Sequence, residues 1–502
     1  MKKWLYSVLA RPGTIVVCFT VALALIVYTI LFVKPYIGMA DNGDYYREIH
    51  NLGLYYLTDN FDDRHFGYFN RLFGIRQYPF EQTTQFVSSL SLVIRTALSL
   101  DLWFTWDNVF DLRTMGAIYL VTYLVAFYLL LKLFGTQMSL PVLVGTGALA
   151  VLIFGDVGYV AYFNSFYGEP ASYILLFLTL GFGFRLLRER VPDTSDFVLF
   201  FLCSALFVAA KQQNAPIGIL LAVINARIFF LRKDMRWKIV VSGLTFLLLV
   251  ISVFVYAAIK DGISHINQYH TVTRGILESS TNPERDMEEL GLDKKFSVLA
   301  GTTYYDKYSM EHSESALMNE QFYPNAGYGA VLKYYLLHMD RAVQKLDLAS
   351  KHAYSIRPLV IGNYEKTVNK DYGAKANFFS VWSSFKEKFF PKSFRFLAIF
   401  YAIYYGFLTK FYVDYYRRNE TKGMIRLELF ALVGLIGVLQ LSVSFLGAGD
   451  ADLAKHLFLF NVTFDWMFIT MAVYVMNYVY VKAKTKVGAG VLSWKPKRSI
   501  SG

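Results

Sequence analysis

Thr14-Ile15-Val16-Val17-Cys18-Phe19-Thr20-Val21-Ala22-Leu23-Ala24-Leu25-Ile26-Val27-Tyr28-Thr29-Ile30-Leu31-Phe32-Val33 is a run of twenty residues without a single charge. About twenty apolar residues in a helix are enough to cross the hydrocarbon core of a bilayer. Lys2, Lys3 and Arg11 precede the run and Lys34 follows it. It exceeds the apolar region of an ordinary signal peptide and lacks a small-residue cleavage pattern, so it reads as an uncleaved first span with its N-terminus inside. Outward from there, comparable runs recur near 115–134, 142–162, 171–187, 196–210, 216–231, 239–259, 395–412, 427–447 and 457–480, which makes ten in all. The 502 residues are 55% hydrophobic and 18% aromatic, with only 18% charged, against roughly 25% charged in a soluble domain. Mean hydropathy is +0.36. A cytosolic enzyme, a fibrous protein and a disordered chain are excluded, and the fold class is an all-α polytopic membrane protein.

The net charge of +12 comes from 50 Lys+Arg against 38 Asp+Glu. On a soluble chain that balance would raise nucleic-acid binding. Here the basic residues concentrate in short loops, as the positive-inside rule demands, and no nucleic-acid partner is expected. The ten-span topology puts inside the loops carrying Arg185, Arg188 and Arg190; Arg232, Lys233, Arg236 and Lys238; and Arg417, Arg418, Lys422 and Arg426. The tail 481–502 adds further lysines, so both termini are cytoplasmic. Cys18 and Cys203 both lie in apolar runs and supply no disulfide framework.

The chain therefore divides into a membrane region 1–259 with spans one to seven, an extracytoplasmic segment 260–394, a membrane region 395–480 with spans eight to ten, and the basic tail. The first outer loop, 35–112, contains an amphipathic stretch from Phe86 to Arg95 followed by Trp103 and Trp106, suited to helices lying in the interface. In 260–394, the acidic run Glu284, Asp286, Glu288, Glu289 before Leu290-Gly291-Leu292 predicts a helix ending at a glycine, within a small, mainly helical outer domain.

Polar residues where lipid or its interface should be mark candidate sites, and four clusters fall on the outer face. The first is Asp41-Asn42-Gly43-Asp44-Tyr45. Its paired carboxylates suit a base that deprotonates a sugar hydroxyl, and equally the capping of a short helix. The second, Asn164-Ser165-Phe166-Tyr167-Gly168-Glu169-Pro170, reads as a turn between spans with a helix-opening proline; Glu169 is what a plain turn leaves unexplained. The third is Lys211-Gln212-Gln213-Asn214. Span five has barely sixteen apolar residues before Lys211, which places a phosphate-binding cation below the outer surface or a snorkelling lysine at a helix end. The fourth is Asp450-Ala451-Asp452-Leu453-Ala454-Lys455-His456, where Asp452 and His456 share a helical face and Lys455 is a second phosphate candidate. A metal reading of Asp450, Asp452 and His456 lacks a second histidine. Asp41 and Asp44 fit either a metal-free site or one assisted by a divalent cation such as Mg or Mn. Phosphate-binding loops, HExxH and GxSxG motifs are absent from the sequence, which disfavours ATP hydrolysis and zinc proteolysis.

An Asp motif in a long first outer loop, polar outer turns and a large late outer loop resemble the GT-C superfamily of integral-membrane glycosyltransferases. Asp41 four residues before Tyr45 matches a spacing found in that loop, and Asp44 is the next carboxylate. More narrowly, the chain looks like the WsfD-type glycan-biosynthesis hexose transferases of Gram-positive bacteria. The pieces are Asp41 to Tyr45, Asn164 to Glu169, Lys211 to Asn214, Gly275-Ile276-Leu277, Glu289 to Leu292, Ala451 to His456 and Phe458-Leu459-Phe460-Asn461. The basic tail is not part of it. The resemblance implies a bacterial plasma-membrane enzyme that moves a hexose from a polyprenyl-phosphate donor to a cell-envelope glycan by inverting single displacement. It implies Asp41, Asp44 and Glu169 as catalytic residues. Tyr45, Asn164, Tyr167, Lys211, Gln213, Asn214, Asp452, Lys455 and His456 are implied to bind substrate.

Two rival readings remain. A Wzy-like polymerase or ligase keeps key basic residues in a large late outer loop, and Arg274, Lys333, Arg341 and Arg357 lie in one. A flippase or transporter needs ionisable groups at span centres, where this sequence has few.

Overall fold

The computed structural model describes residues 11–77, 88–188, 191–258, 261–307, 310–448 and 453–493. The expected inside charges Lys2, Lys3, Arg190, Lys495, Lys497 and Arg498, like Phe86 and Val87 of the amphipathic stretch, lie outside these residues.

The chain is predominantly helical. In chain order the elements used below are α1 (Pro12–Phe32), α2 (Tyr46–Asn51), β1 (Leu54–Tyr56), β2 (Leu72–Ile75), α3 (Ser89–Thr105), β3 (Val109–Asp111) and α4 (Arg113–Gly135). They continue with α5 (Leu140–Phe154), α6 (Glu169–Leu186), α7 (Thr194–Val208), α8 (Ile217–Phe229) and α9 (Met235–Ala257). The last are α10 (Val381–Phe389), α11 (Phe394–Arg417), α12 (Thr421–Ala448) and α13 (Phe458–Ser493). Among the described residues, six helices are long and apolar enough to cross a membrane: α1, α4, α9, α11, α12 and α13. Helix α5 and the helical turns 157–163 pass the same test only as a pair bent by 50°, the geometry of a broken span or of a re-entrant loop. The other three positions expected to span hold α6, α7 and α8, of 18, 15 and 13 residues. At about 1.5 Å per residue all three fall short of a 30 Å hydrocarbon core, the last two by the most.

Local chemistry explains the ends. Pro12 opens α1, Asp234 caps α9 by accepting from the Trp237 amide, and Ser393 caps α11 by accepting from the Phe396 amide. The 142–162 run is not one straight helix. It breaks at Gly155, and Asp156 restarts it by accepting from the Gly158 amide at 2.7 Å. Helix α1 packs on α4 and α5, α6 on α4 and α7, and α13 on α5 and α12.

The 35–112 loop departs from the all-α expectation. It holds an antiparallel sheet in the order β1-β2-β3, with Tyr56 opposite Phe73 and Phe73 opposite Phe110. Phe73 and Phe110 are buried and pack around Phe166, so the sheet roofs the 164–169 turn. The strands are three or four residues long, too short for a two-residue period to register in sequence. The amphipathic stretch forms α3, with Trp103, Phe104 and Trp106 exposed at its end.

The 260–394 segment divides into two parts. Residues 269–342 contain a core of their own, including Tyr269, Ile276, Met287, Phe296 and Phe322. The predicted helix there is Pro283–Glu289, and it ends at Gly291 with φ +77°, where the Leu292 amide reaches back to the Met287 carbonyl at 2.8 Å. Residues from Ala349 through Tyr354, Ile361 and Trp382 instead join the core of the main bundle. The strand-like stretch 361–365 is laced to the first loop: the Ala40 amide donates to Gly362, the Phe69 amide to Tyr364, and Arg71 to Glu365 at 3.1 Å.

Candidate functional site

Asp41 follows the Met39-Ala40 backbone, which the 362–364 stretch holds in place. Its carboxylate is buried and already satisfied: Oδ1 accepts from the Gly43 and Tyr45 amides at 2.7 and 3.0 Å, and Oδ2 from the Tyr56 hydroxyl at 2.6 Å. His65 Nδ1 lies 3.3 Å from Oδ2. These bonds fold the Asp41–Tyr45 turn and lead the chain into α2. Tyr45 is buried too, donating to the Met39 carbonyl at 2.9 Å and packing edge-on against Phe166 and Tyr167.

The turn presents Asp44 on the other side. The Asp44 carboxylate pairs with Lys455, and Arg47 lies 3.4 Å away. Lys455 is buried, with its ammonium 5.2 Å from the centre of the Tyr167 ring. Tyr167 in turn donates to the Ala40 carbonyl at 2.8 Å and accepts from the Asn42 amide at 3.0 Å. Desolvation pushes the Asp44 carboxyl up, but Lys455 and Arg47 more than offset it and hold the group well below the usual carboxylate range.

A second ion pair faces the first. Glu169, the opening residue of α6, is buried and accepts from Lys211 at 2.7 Å. Gly168 lies so close to the Lys211 stem that an added Cβ would come within 2.8 Å of it. Gln213 donates to Ser444 at 3.1 Å and to the His456 carbonyl at 3.2 Å, fastening the Lys211 loop to α12 and to the turn before α13. Burial, then the cations Lys455 and Lys211, push the His456 imidazole down to about 3, so it is neutral at physiological pH. A small cleft bordered by Glu169, Lys211, Gln213, Lys455, His456 and Phe458 has a volume of about 10 Å³, on the order of the room for one water molecule. One carboxylate, two ammonium groups and a neutral imidazole border it, and a second carboxylate, Asp44, adjoins it through its pairing with Lys455. Such a site can hold an anion on its lysines and hand a proton to a carboxylate.

A family model described as the YfdI N-terminal transmembrane domain matches residues 2–491. The chain belongs to that family. No curated protein and no solved structure matches it.

In this YfdI-type domain, all four sequence clusters converge on one site: Glu169, Lys211, Gln213, Lys455 and His456 border the cleft, and Asp44 and Tyr167 adjoin it at Lys455. Asn214 borders the cleft but is spent on structure, donating to Ser172 at 2.9 Å and to the Phe207 carbonyl at 3.0 Å. Asn164 is not in the cleft. It is buried and donates to the Ile37 carbonyl at 2.8 Å and the Leu31 carbonyl at 3.3 Å, closing the end of α1. Asp450 and Asp452 lie outside the described residues. Among the described residues no three His, Cys, Asp or Glu side chains group as they would around a metal ion. Asp41 and Asp44 turn to different partners, so a divalent ion bridging the two does not fit this arrangement.

Several residues escaped sequence reasoning. Ser172, Gln440 and Ser444 are neutral positions inside apolar helices, and no spacing marks them. Arg47, three residues after Asp44, was legible as an i,i+3 ion pair. Tyr305 is exposed, and the charges of Arg47, Asp44 and Lys455 act on its hydroxyl. Asp465, inside α13, pairs with Lys386 of α10 at 2.7 Å, both fully buried. Sequence alone assigns that lysine to the outer segment.

Proposed function

We propose that this protein is a bacterial plasma-membrane hexosyltransferase that takes its sugar from a polyprenyl-phosphate donor and adds it to a cell-envelope glycan. The observation that carries the reading is the convergence of Lys211 and Lys455, 244 residues apart in the sequence, on one cleft that also holds carboxylates. In the ten-span arrangement, with α6, α7 and α8 as short spans and both termini in the cytoplasm, the cleft opens on the outer face. A lipid-phosphate sugar reaches it there, at the membrane surface, whereas nucleotide sugars are cytosolic.

The acceptor hydroxyl oxygen attacks the anomeric carbon as the bond from that carbon to the phosphate oxygen breaks, which inverts the configuration. The hydroxyl proton passes to Asp44, the more exposed of the two paired carboxylates. Lys455 and Lys211 hold the phosphate and take up the charge that develops as it leaves with its lipid. Asp41, spent on the loop backbone, positions Asp44 and Asn42 rather than accepting the proton. Glu169 holds Lys211. A single displacement needs one base and no covalent carboxylate intermediate.

The test is hexose transfer from a polyprenyl-phosphate sugar to cell-envelope glycan, in membranes carrying the parent or the Lys455→Ala or Lys211→Ala variant. Each lysine variant is expected to raise the donor concentration needed for half-maximal rate, with insertion intact. Full activity in both variants would sink the reading. A product that grows in chain length instead of gaining single hexoses would favour a polymerase on the same site.

A further inference from the structure

The two ion pairs at the cleft are built in opposite senses. In the inner pair the carboxylate is the buried member: the Glu169 side chain is 3% exposed and Lys211 24%. In the outer pair the lysine is the buried member: Lys455 is 3% exposed and Asp44 33%. An anion arriving from outside therefore meets Lys211 directly, but meets Asp44 before Lys455. Asp44 also has a second cation within reach, since Arg47 stands 3.4 Å away, one helical turn further on and 39% exposed.

We infer that Asp44 is a displaceable stand-in for the donor phosphate: it occupies Lys455 in the resting protein, and phosphate binding moves it onto Arg47 and frees it for the acceptor. This rests on the reading of the cleft as a phosphate site and adds an order of events to it. A carboxylate and a phosphate compete for the same ammonium, because both accept charge-assisted hydrogen bonds and like charges repel at that distance. While Asp44 is bound to Lys455 it is a poor proton acceptor. Once the phosphate has taken Lys455, the carboxylate lies beside the anomeric carbon with only the looser Arg47 contact. The base is thus switched on by the donor, and the acceptor hydroxyl is not activated in its absence. The geometry also gives Arg47 a task, as the holding position without which Asp44 and the phosphate would have to share one cation.

The probe is farnesyl phosphate, a short prenyl phosphate, titrated calorimetrically into the full-length protein in detergent. Asp44→Asn removes the competing charge, so it is expected to bind the probe about tenfold to a hundredfold more tightly than the parent, the worth of one charge-assisted hydrogen bond, while transferring hexose more slowly. Arg47→Gln takes away the holding position and is expected to bind the probe more weakly than the parent. Glu169→Gln, whose lysine is more exposed than Lys455, should tighten binding less than Asp44→Asn does. Equal or weaker binding by a folded Asp44→Asn overturns the exchange and leaves the phosphate site standing. If that variant does not fold, unchanged binding by Arg47→Gln overturns it instead. No binding by the folded parent or by any variant overturns the phosphate site and the exchange with it. The predicted binding pattern without any hexose transfer keeps the exchange and removes the transferase reading.

Discussion

Replacing Lys386 with methionine keeps most of the aliphatic stem and deletes the charge at the centre of a closed buried network. Lys386 Nζ lies 2.7 Å from one oxygen of Asp465, and neither side chain has any exposed surface. The other oxygen accepts from the Tyr159 hydroxyl at 2.5 Å and the Trp382 indole at 2.7 Å. In Lys386→Met those two donors remain but the carboxylate loses its counter-charge, out of reach of water. Breaking one side of a buried pair costs about 3–5 kcal/mol. At about 1.4 kcal/mol per factor of ten, the folded-to-unfolded ratio falls roughly 10²–10⁴-fold. Adding Asp465→Asn removes the stranded charge and keeps an oxygen for the remaining donors, so the double variant is expected to recover most of the loss. The effect reaches the site, because α10 and the residues just before it also clamp the break before the 164–169 turn: the Ser383 amide donates to Asp156 at 2.8 Å and the Val157 amide to the Phe379 carbonyl. Thermal unfolding of the purified protein in detergent measures the stability, and limited proteolysis within 356–390 measures the clamp. A single variant that melts like the parent, or a double variant that loses the sum of both single changes, refutes the reasoning.

Two further outcomes follow from charge. Burial raises the Glu48 carboxyl to about 7, against the hydrogen bonds from Ser91 and Ser88 and the charge of Arg47. From pH 4.5, the ordinary value, to about 7, the folded protein retains a proton that the unfolded chain has released, so stability falls as pH rises through that window and levels off above it. Glu48→Gln is expected to flatten this slope and to melt higher than the parent above pH 7, by up to roughly 3 kcal/mol at 1.36 kcal/mol per unit; an unchanged slope in melting scans from pH 4.5 to 8 removes Glu48 as its source. In a background without Cys18 and Cys203, a cysteine at Pro283 should react with an impermeant maleimide from outside and one at Lys233 should not. Outside labelling at Lys233 breaks the ten-span topology.

The sequence by itself determined the membrane class, because burial in lipid requires long apolar helices and twenty uncharged residues such as Thr14 to Val33 have no other stable home. It also determined which residues stood out at the cleft. Glu169, Lys211 and Lys455 are charges at the ends of apolar runs, where desolvation makes an idle charge costly, so their positions are legible without any neighbour in view. Tertiary structure alone decided how they pair, since Asp44 meets Lys455 across more than four hundred residues and no local period encodes that approach. It also separated Asp41 from Asp44. Three residues apart, both read as candidate bases, and only the donors gathered around each divide them: backbone amides and Tyr56 around Asp41, Lys455 and Arg47 around Asp44. Strands β1 to β3 and the Lys386–Asp465 pair were hidden for the same reason. A strand of three residues draws its hydrogen bonds from distant partners, and a buried charge is stable only beside a counter-charge that the fold delivers.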